Sequence, residues 1–222
     1  MARAQAWLSW SSGKDSAFAL HALRDDPSVD VVCLLTTVNA AADRVAMHAV
    51  RRELLEAQAD RLGLPLHAVE LPWPCPNEVY EERMGAAIAV AEAEGVDTVV
   101  FGDLFLEDVR AYREQALAAT AVSPSFPLWH RPTDALAREM IQTGIRAVIT
   151  CVDPAQAPAE LIGRAFDEDL LADLPAGVDP CGERGEFHTF VWDSPSFRAP
   201  IPIEVGEVVE RDGFVFCDVV PR

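Results

Sequence analysis

The stretch from Trp7 to Ser16, WLSWSSGKDS, constrains the fold most, because an apolar strand there ends in a small polar loop that opens a helix. The bulky residues 6–10 predict a buried parallel strand, and residues 17–20 with Leu23 have the spacing of a helix packed on a sheet. In such a strand-loop-helix unit, the free amides of the first helical turn point at whatever lies above the strand. The pattern therefore predicts a phosphate site.

Lys14 strengthens this prediction, since it is the only lysine in the chain and all other basic residues are arginines. A compact ammonium fits between phosphate oxygens where an arginine fork is too large. The alternative is an ordinary turn in which Ser12 or Asp15 caps the helix and Lys14 faces solvent. The loop is neither a Walker A sequence nor a Gly-x-Gly-x-x-Gly sequence.

Strand and helix patterns alternate through most of the chain. Strands are predicted at 6–10, 29–38, 64–71, 96–103 and 145–152, with helices between them. This alternation predicts an α/β fold with a doubly wound, mostly parallel five-stranded sheet, whose ligand lies over the carboxyl ends of the strands. The later segments, an acidic helix within 158–174 and strands at 201–209 and 214–220, predict a small α+β subdomain. We expect the two parts to span 1–153 and 154–222.

Composition limits the possible partners. The net charge of -18 argues against a protein that grips long nucleic acid, which needs a basic footprint. No apolar run has the length of a membrane span, and no secretion signal is visible, so we expect a cytoplasmic protein. The scattered cysteines, without a Cys-x-x-Cys pair, argue against a disulfide framework or a cysteine-held metal cluster. Cys33 and Cys151 lie in strand-like runs and are predicted to be core residues.

A second cluster lies near the end of the chain, where residues 179–189 read DPCGERGEFHT. Glycines, ionisable side chains and a cysteine are concentrated in this short stretch. Such a segment is typical both of a functional loop and of a surface turn that leads into a strand. The residues by themselves leave both interpretations open.

Three motifs in this order resemble those of a known family. The loop SSGKDS at 11–16 resembles the Ser-Gly-Gly-x-Asp-Ser loop of the PP-loop ATP pyrophosphatases, which belong to the HUP-like Rossmannoid, or adenine nucleotide alpha hydrolase-like, superfamily; Ser12 replaces the first glycine. Together with FPLW at 126–129 and the 179–189 motif, it resembles the diphthine-ammonia ligase family over nearly the whole chain.

This resemblance implies an ATP-binding PP-loop core and a C-terminal loop that faces the nucleotide and lines the substrate pocket. In the family's reaction an acceptor carboxylate attacks the α-phosphorus of ATP, which gives an acyl-adenylate and pyrophosphate, and ammonia then displaces AMP. Loop amides and Lys14 would stabilise the leaving pyrophosphate, while Mg²⁺ would bridge phosphate oxygens next to Asp15 or Asp103.

The resemblance also assigns site residues. Those expected to bind ATP are Ser11, Ser12, Gly13, Lys14, Asp15, Ser16, Thr37, Met47, Gly102 and Asp103. Those expected to bind the substrate are Arg110, Arg113, Cys181, Gly182, Glu183, Gly185 and Glu186. Lys14, Glu183, Glu186 and His188 are the expected catalytic residues. His188 as a hydrogen-bonded strand residue and Arg110 as a helix partner of Glu114 remain open alternatives.

The implied partners are ATP, ammonia and a carboxylate-bearing acceptor such as a modified side chain on a translation factor, and a homodimer is compatible with the resemblance. One alternative is a PP-loop enzyme that adenylates a tRNA base for thiolation, against which the absence of paired cysteines and of a basic surface counts. Another is a nucleotide-binding sensor without turnover, against which Lys14 and the acidic second loop count.

Overall fold

The computed structural model describes residues 3–45 and 48–222, so Met47, predicted to bind ATP, lies outside the described residues. The chain forms a mixed α/β structure with two sheets. The strands of the first sheet are β1 (Ala4–Ser9), β2 (Val29–Asn39), β3 (Arg44–Val45), β4 (Leu66–Leu71), β5 (Thr98–Val100) and β6 (Ser123–Ser125). Those of the second are β7 (Arg146–Val152), β8 (Phe187–Asp193), β9 (Ile203–Arg211) and β10 (Phe214–Pro221). The helices are α1 (Lys14–Leu23), α2 (Arg52–Leu62), α3 (Asn77–Ala93), α4 (Glu107–Leu117), α5 (Thr133–Gln142) and α6 (Glu168–Asp173).

The first sheet has the predicted parallel architecture. Its parallel strands lie in the order β4-β2-β1-β5-β6, and the short β3 runs antiparallel to the end of β2. The chain moves from β1 to β2 on one side, whereas β5 pairs with the other side of β1. Strand order therefore reverses between β1 and β5, and ligands of open α/β sheets bind outside the carboxyl ends of strands at such a point.

The fifth parallel strand is a different segment from the one predicted. Residues 146–152 form β7, which pairs antiparallel with β8 and β10 in the second sheet. Placing this segment in the parallel sheet was wrong, because an apolar run indicates burial and says nothing of the direction of its neighbours. The fifth parallel strand is β6, a short edge strand that contains Pro124, and proline is tolerated at such edges. The division after residue 153 stays a prediction.

Helices cover both faces of the first sheet, as a doubly wound fold requires. One core cluster joins Leu8 and Phe18 to Val148 and Phe190 of the second sheet, so the two sheets share a core. A second cluster around Trp7 lies between the opposite face and α3. The shared core holds the segment leading into β8 against the loop that follows β1. No helix in the described part of the chain is long and apolar enough to cross a membrane.

Candidate nucleotide site

A cavity of about 500 Å³ opens beyond the carboxyl ends of β1 and β5. Its walls come from the β1–α1 loop, the end of β2, α3, α4 and the segment that leads into β8. The predicted site residues that line it are Ser11, Lys14, Asp15, Ser16, Thr37, Gly102, Asp103, Arg113, Gly182, Glu183 and His188. The structure thus brings the first and last sequence motifs to one cavity.

The β1–α1 loop has the tight form that the sequence predicts. Ser12, which replaces a glycine of the motif, is fully buried and has a left-handed φ of 70°. Its hydroxyl has no hydrogen-bond partner in the described structure. Helix α1 begins after Gly13, which provides no side-chain cap. The alternative in which Ser12 or Asp15 caps an ordinary turn is therefore not the arrangement found.

Lys14 is buried rather than solvent-exposed, with 2% of its surface accessible. Its ammonium donates to Asp15 Oδ2 at 2.9 Å and to the carbonyl oxygen of Cys181. The rings of Phe166 and Phe187 have their centroids 5.5 and 5.4 Å from Nζ. Burial acts to lower the pKa of this ammonium, but Asp15 and further acidic groups outweigh burial, so the pKa is raised. Lys14 is therefore a protonated link between the two motifs.

Carboxylates inside the 179–189 motif shape its loop. Asp179 accepts hydrogen bonds from the amide of Cys181 at 2.9 Å and from the hydroxyl of Thr133 at 2.8 Å. Glu186 accepts from the amides of Asp179 and Arg184 at 3.0 and 2.9 Å and is 2% exposed. Because its oxygens are engaged with backbone amides, Glu186 stabilises the loop from behind the cavity wall.

Glu183 is the carboxylate of this motif that reaches the cavity. It accepts a hydrogen bond from the amide of Leu104 at 2.7 Å and a longer one from Phe105 at 3.4 Å. Burial, followed by the charge of Asp15, raises the pKa of Glu183 to about 7. A carboxyl group that titrates near neutral pH can take up and release protons during a reaction.

Asp15 and Asp103 are the carboxylates that could hold a metal ion in this cavity. Asp15 Oδ1 and Asp103 Oδ2 are buried and have no hydrogen-bond partner in the described structure, although Asp103 Oδ2 lies 3.6 Å from Arg113 Nε. Mg²⁺ is commonly held by one or two carboxylates together with substrate phosphates. These two side chains fit that donor set. The described residues contain no cluster of three or more histidines, cysteines or carboxylates suited to a metal.

The remaining predicted residues lie around the cavity rather than in its lining. Arg110 lies 4.9 and 4.8 Å from the ring centroids of Phe126 and Trp129, and it donates to Glu114 at 2.7 Å. The helix pair considered above is thus present. The thiol of Cys181 is buried and donates to the Thr133 carbonyl, and burial raises its pKa. Ser12, Gly13, Arg110, Cys181, Gly185 and Glu186 do not line the cavity, and their binding roles stay predictions.

Gln58 of α2 supports the loop and was missed from the sequence. Its amide nitrogen donates to the carbonyl oxygens of Ser12 and Val191 at 3.0 and 2.6 Å, and its oxygen accepts from the Trp10 indole at 2.8 Å. This fully buried side chain therefore joins β1, the loop and β8. The sequence did contain a signal for it. Gln58 lies four residues after Leu54, on the apolar face of a predicted helix, and a buried amide there needs hydrogen-bond partners.

A phosphate-type loop at the switch point of a parallel sheet, with carboxylates over the neighbouring strand, defines a class: a nucleotide-binding α/β protein of PP-loop type. Comparison with known families agrees. The chain matches the model described as the diphthamide synthase N-terminal domain over residues 4–120 and the model described as the diphthamide synthase C-terminal domain over residues 132–219. The chain belongs to the diphthamide synthase family.

Curated relatives agree with this membership and with the resemblance seen in the motifs. The chain is 28% identical to the diphthine--ammonia ligase of Danio rerio over 229 residues, which covers 94% of this chain and 90% of the relative. It is 27% identical to the Homo sapiens diphthine--ammonia ligase, with 80% and 72% covered. The Bos taurus protein of the same name is 30% identical, with 65% and 56% covered.

Proposed function

We propose that this protein is an ATP-dependent amide-forming ligase of the diphthine-ammonia ligase type. It would adenylate a carboxylate with release of pyrophosphate, and ammonia would then displace AMP from the acyl-adenylate to form the amide. The observation that carries the proposal is the single cavity lined by both the PP-loop and the 182–189 segment, held together by Lys14. Family membership and the names of the relatives support the same reaction.

In this proposal the loop after β1 binds the phosphates of ATP. The free amides and the dipole of α1 face the developing negative charge of pyrophosphate. Gly102 lets β5 approach the start of α1, since a Cβ there would lie 3.0 Å from the backbone carbon of Asp15. Asp15 and Asp103 would hold Mg²⁺, which neutralises phosphate charge when bound. Lys14 keeps the loop and the C-terminal motif in register and adds a positive charge beneath the phosphates.

The acceptor and ammonia would react beside Glu183. This carboxyl group lines the cavity, and its pKa of about 7 suits the removal of a proton from the incoming amine. Arg113 also lines the cavity, with its guanidinium 4.8 Å from the Phe101 ring centroid, and it would contact the acceptor carboxylate. Gly182 would leave space for the acceptor, while Glu186 maintains the loop.

The products formed from ATP test the proposal. The protein is incubated with ATP, Mg²⁺, ammonium and a panel of carboxylate acceptors that includes a diphthine-bearing protein. We expect AMP and pyrophosphate, which depend on the acceptor and are lost in Lys14→Ala and in Asp103→Asn. Asp103→Asn is the more specific of the two variants, because it keeps the size of a partly exposed side chain. Lys14→Ala removes a buried side chain that joins two motifs, so its folding has to be checked separately.

Other outcomes would contradict the proposal. ADP and phosphate would indicate attack at the γ-phosphorus. Tight ATP binding without products for any acceptor would favour a sensor, and a product made only with tRNA would favour base thiolation. A cytoplasmic location, a homodimer and the division at residue 153 belong to the same proposal and are checked by fractionation, light scattering and limited proteolysis.

A further inference from the structure

Two histidines lie together against the PP-loop. The imidazoles of His48 and His188 have ring centroids 4.7 Å apart, and both line the cavity. A Cβ placed on Gly13 would lie 2.9 Å from Cε1 of His48. The pair therefore borders the segment of the loop at which α1 begins and at which a phosphate is expected.

The hydrogen bond of His48 identifies its tautomer. Nδ1 lies 3.1 Å from the carbonyl oxygen of Thr189, which can only accept, so Nδ1 carries the hydrogen. Nε2 then carries a lone pair and has no protein partner among the described residues. Burial and the charge of Lys14 lower the pKa of His48 to about 4, even though the Thr189 contact opposes this. Burial, His48 and Lys14 lower the pKa of His188 to about 3.

Among the described residues, the charged groups of the cavity leave the side of the two histidines without a free cation. The carboxylates of Asp15, Asp103 and Glu183 lie on the side of β5 and the loop that follows it. The ammonium of Lys14 is engaged with Asp15 and Cys181, and Arg113 is drawn toward Asp103. The carboxylate side would hold a metal ion that accompanies a polyphosphate. The phosphate oxygens on the opposite side would then meet the two imidazoles.

Two arginines flank His48 in the sequence. Arg44 and Arg51 are both paired with Asp218 of β10. Their charge is therefore largely compensated. Among the described residues, Lys14 is the charged group that acts on the pKa of both imidazoles, while the carboxylates of Asp15, Asp103 and Glu183 line the same cavity. A bound anion would strongly favour the protonated imidazole, because an opposite charge within a few ångströms raises a histidine pKa.

We propose that His48 and His188 form a phosphate-binding pair that takes up a proton when the nucleotide binds and donates to the phosphate oxygens of the leaving pyrophosphate. This inference rests on the proposed function in one respect: the phosphates that the pair contacts are those of the nucleotide bound in the cavity. The pair supplies positive charge on the side of the loop that Lys14 does not serve. It also links binding to pH, since the proton comes from solvent.

Isothermal titration calorimetry with magnesium pyrophosphate and with a non-hydrolysable ATP analogue tests the pair. Titrations in buffers of different ionisation enthalpy between pH 6 and 8 give the number of protons bound. We expect uptake by the wild type and an affinity that falls as pH rises, by up to about tenfold per pH unit. His48→Asn keeps a donor for Thr189 but cannot titrate. We expect this variant and His188→Asn to bind about tenfold more weakly and to lose the uptake, while the exposed control His130→Asn is unchanged.

The outcomes separate the inference from the proposed function. Nucleotide binding by the wild type without proton uptake, or unchanged affinity in both variants, would overturn the pair while the proposed function stands. Normal pyrophosphate release with a raised requirement for ammonium would assign the histidines to ammonia instead and also overturn it. If the wild type binds neither ligand, the proposed function itself fails. Glu183 in the same cavity also titrates near pH 7, so the uptake is measured in Glu183→Gln as well. If the histidine variants do not fold, uptake that persists in Glu183→Gln supports the pair, and uptake that is lost there overturns it.

Discussion

Lys14 and Glu183 are ionisable side chains from distant parts of the chain that meet in one buried site. Each is only partly compensated: Lys14 by Asp15 and a carbonyl oxygen, and Glu183 by the amide of Leu104. Withdrawing a carboxylate from water next to Asp15 disfavours its ionised form, which is why the pKa of Glu183 rises to about 7. A raised carboxyl pKa in the folded state lowers stability at neutral and higher pH.

This property predicts the effect of Glu183→Gln on stability. The folded protein binds the Glu183 proton more tightly than the unfolded chain, so the wild type loses stability as pH rises from about 4.5 to about 7. The glutamine cannot ionise and keeps an oxygen for Leu104. The difference in the free energy of unfolding, variant minus wild type, is measured by urea titration at each pH. We expect this difference to be about 1–3 kcal/mol more positive at pH 8 than at pH 4.5. A difference that does not change with pH, as expected for the exposed control Glu207→Gln, would contradict this explanation.

A substitution of Gln58 can test its hydrogen bonds separately from the space that its side chain fills. Gln58→Met fills similar space but leaves the Trp10 indole and the Val191 carbonyl without their buried partner. Each such group costs about 1–3 kcal/mol, so we expect the free energy of unfolding to fall by about 2–4 kcal/mol. Urea unfolding followed by tryptophan fluorescence measures this change, with the exposed Gln142→Met as control. A loss as small as that of the control would show that water replaces the amide.

At the scale of elements, the contact between the end of β5 and the start of α1 determines how close the two strand ends come. Gly102 makes this contact with backbone atoms, since a Cβ would lie 3.0 to 3.1 Å from atoms of Asp15 and Ser16. Backbone in a packed first turn cannot shift as a flexible side chain can. Glycine has a different role at the end of α2, where Gly63 has a left-handed φ of 69°.

Two glycine substitutions test this contact. We expect Gly102→Ala to push β5 from α1, to weaken nucleotide binding by about tenfold or more, and to lower stability by about 1–3 kcal/mol, as overpacking does. The matched control is Gly85→Ala in α3, where a Cβ meets nothing within 4 Å and should raise stability by about 0.5–1 kcal/mol. Calorimetric titration and thermal unfolding measure both. Normal binding by Gly102→Ala would show that the strand end can move without loss of the site.

At the scale of the whole molecule, polar contacts among the described residues strengthen the shared core of the two sheets. Lys14 and Gln58 make one connection beneath the PP-loop. Asp218 of β10 makes the other, because it accepts hydrogen bonds from Arg44 at 2.8 Å and from Arg51 at 2.6 Å, on either side of the segment that carries His48. The hydrogen bonds of Arg51, then those of Arg44, lower the pKa of Asp218 to about 2.

The second connection predicts an acid-sensitive contribution to stability. A lowered carboxyl pKa contributes stability that is present above the ordinary pKa of 3.8 and is lost as pH falls through about 2. The site is partly exposed, so we expect Asp218→Asn to reduce the free energy of unfolding at pH 7 by only about 1 kcal/mol. This gap should narrow between pH 4 and pH 2 in urea titrations. A gap that stays constant, or one equally large for Asp212→Asn at the hairpin turn, would contradict the proposed role.

The motifs and the core strands were predictable because their signals are local. An apolar strand, a small polar loop and a helix follow one another at 6–23, so the loop and the class of fold could be read without any partner. Cys33 and Cys151 were correctly predicted as core residues, being 7% and 1% exposed. Local cap signals are less decisive: α3 and α5 begin after Pro76 and Pro132, so Asn77 and Thr133 lie inside the helices, and the Thr133 hydroxyl donates to Asp179. The helix expected within 158–174 is a short 3-10 turn followed by α6.

By itself, the sequence determined which strands are buried and which family's motifs the chain carries, and it predicted an anion site at the loop after β1. Only the tertiary structure decided that β7 joins the antiparallel sheet, that Glu183 enters the cavity while Glu186 stabilises the loop, and that His48 meets His188. The physical reason is that hydrophobic periodicity and turn chemistry act between neighbours along the chain. Strand direction, desolvation and hydrogen-bond partners depend instead on segments that meet only after folding.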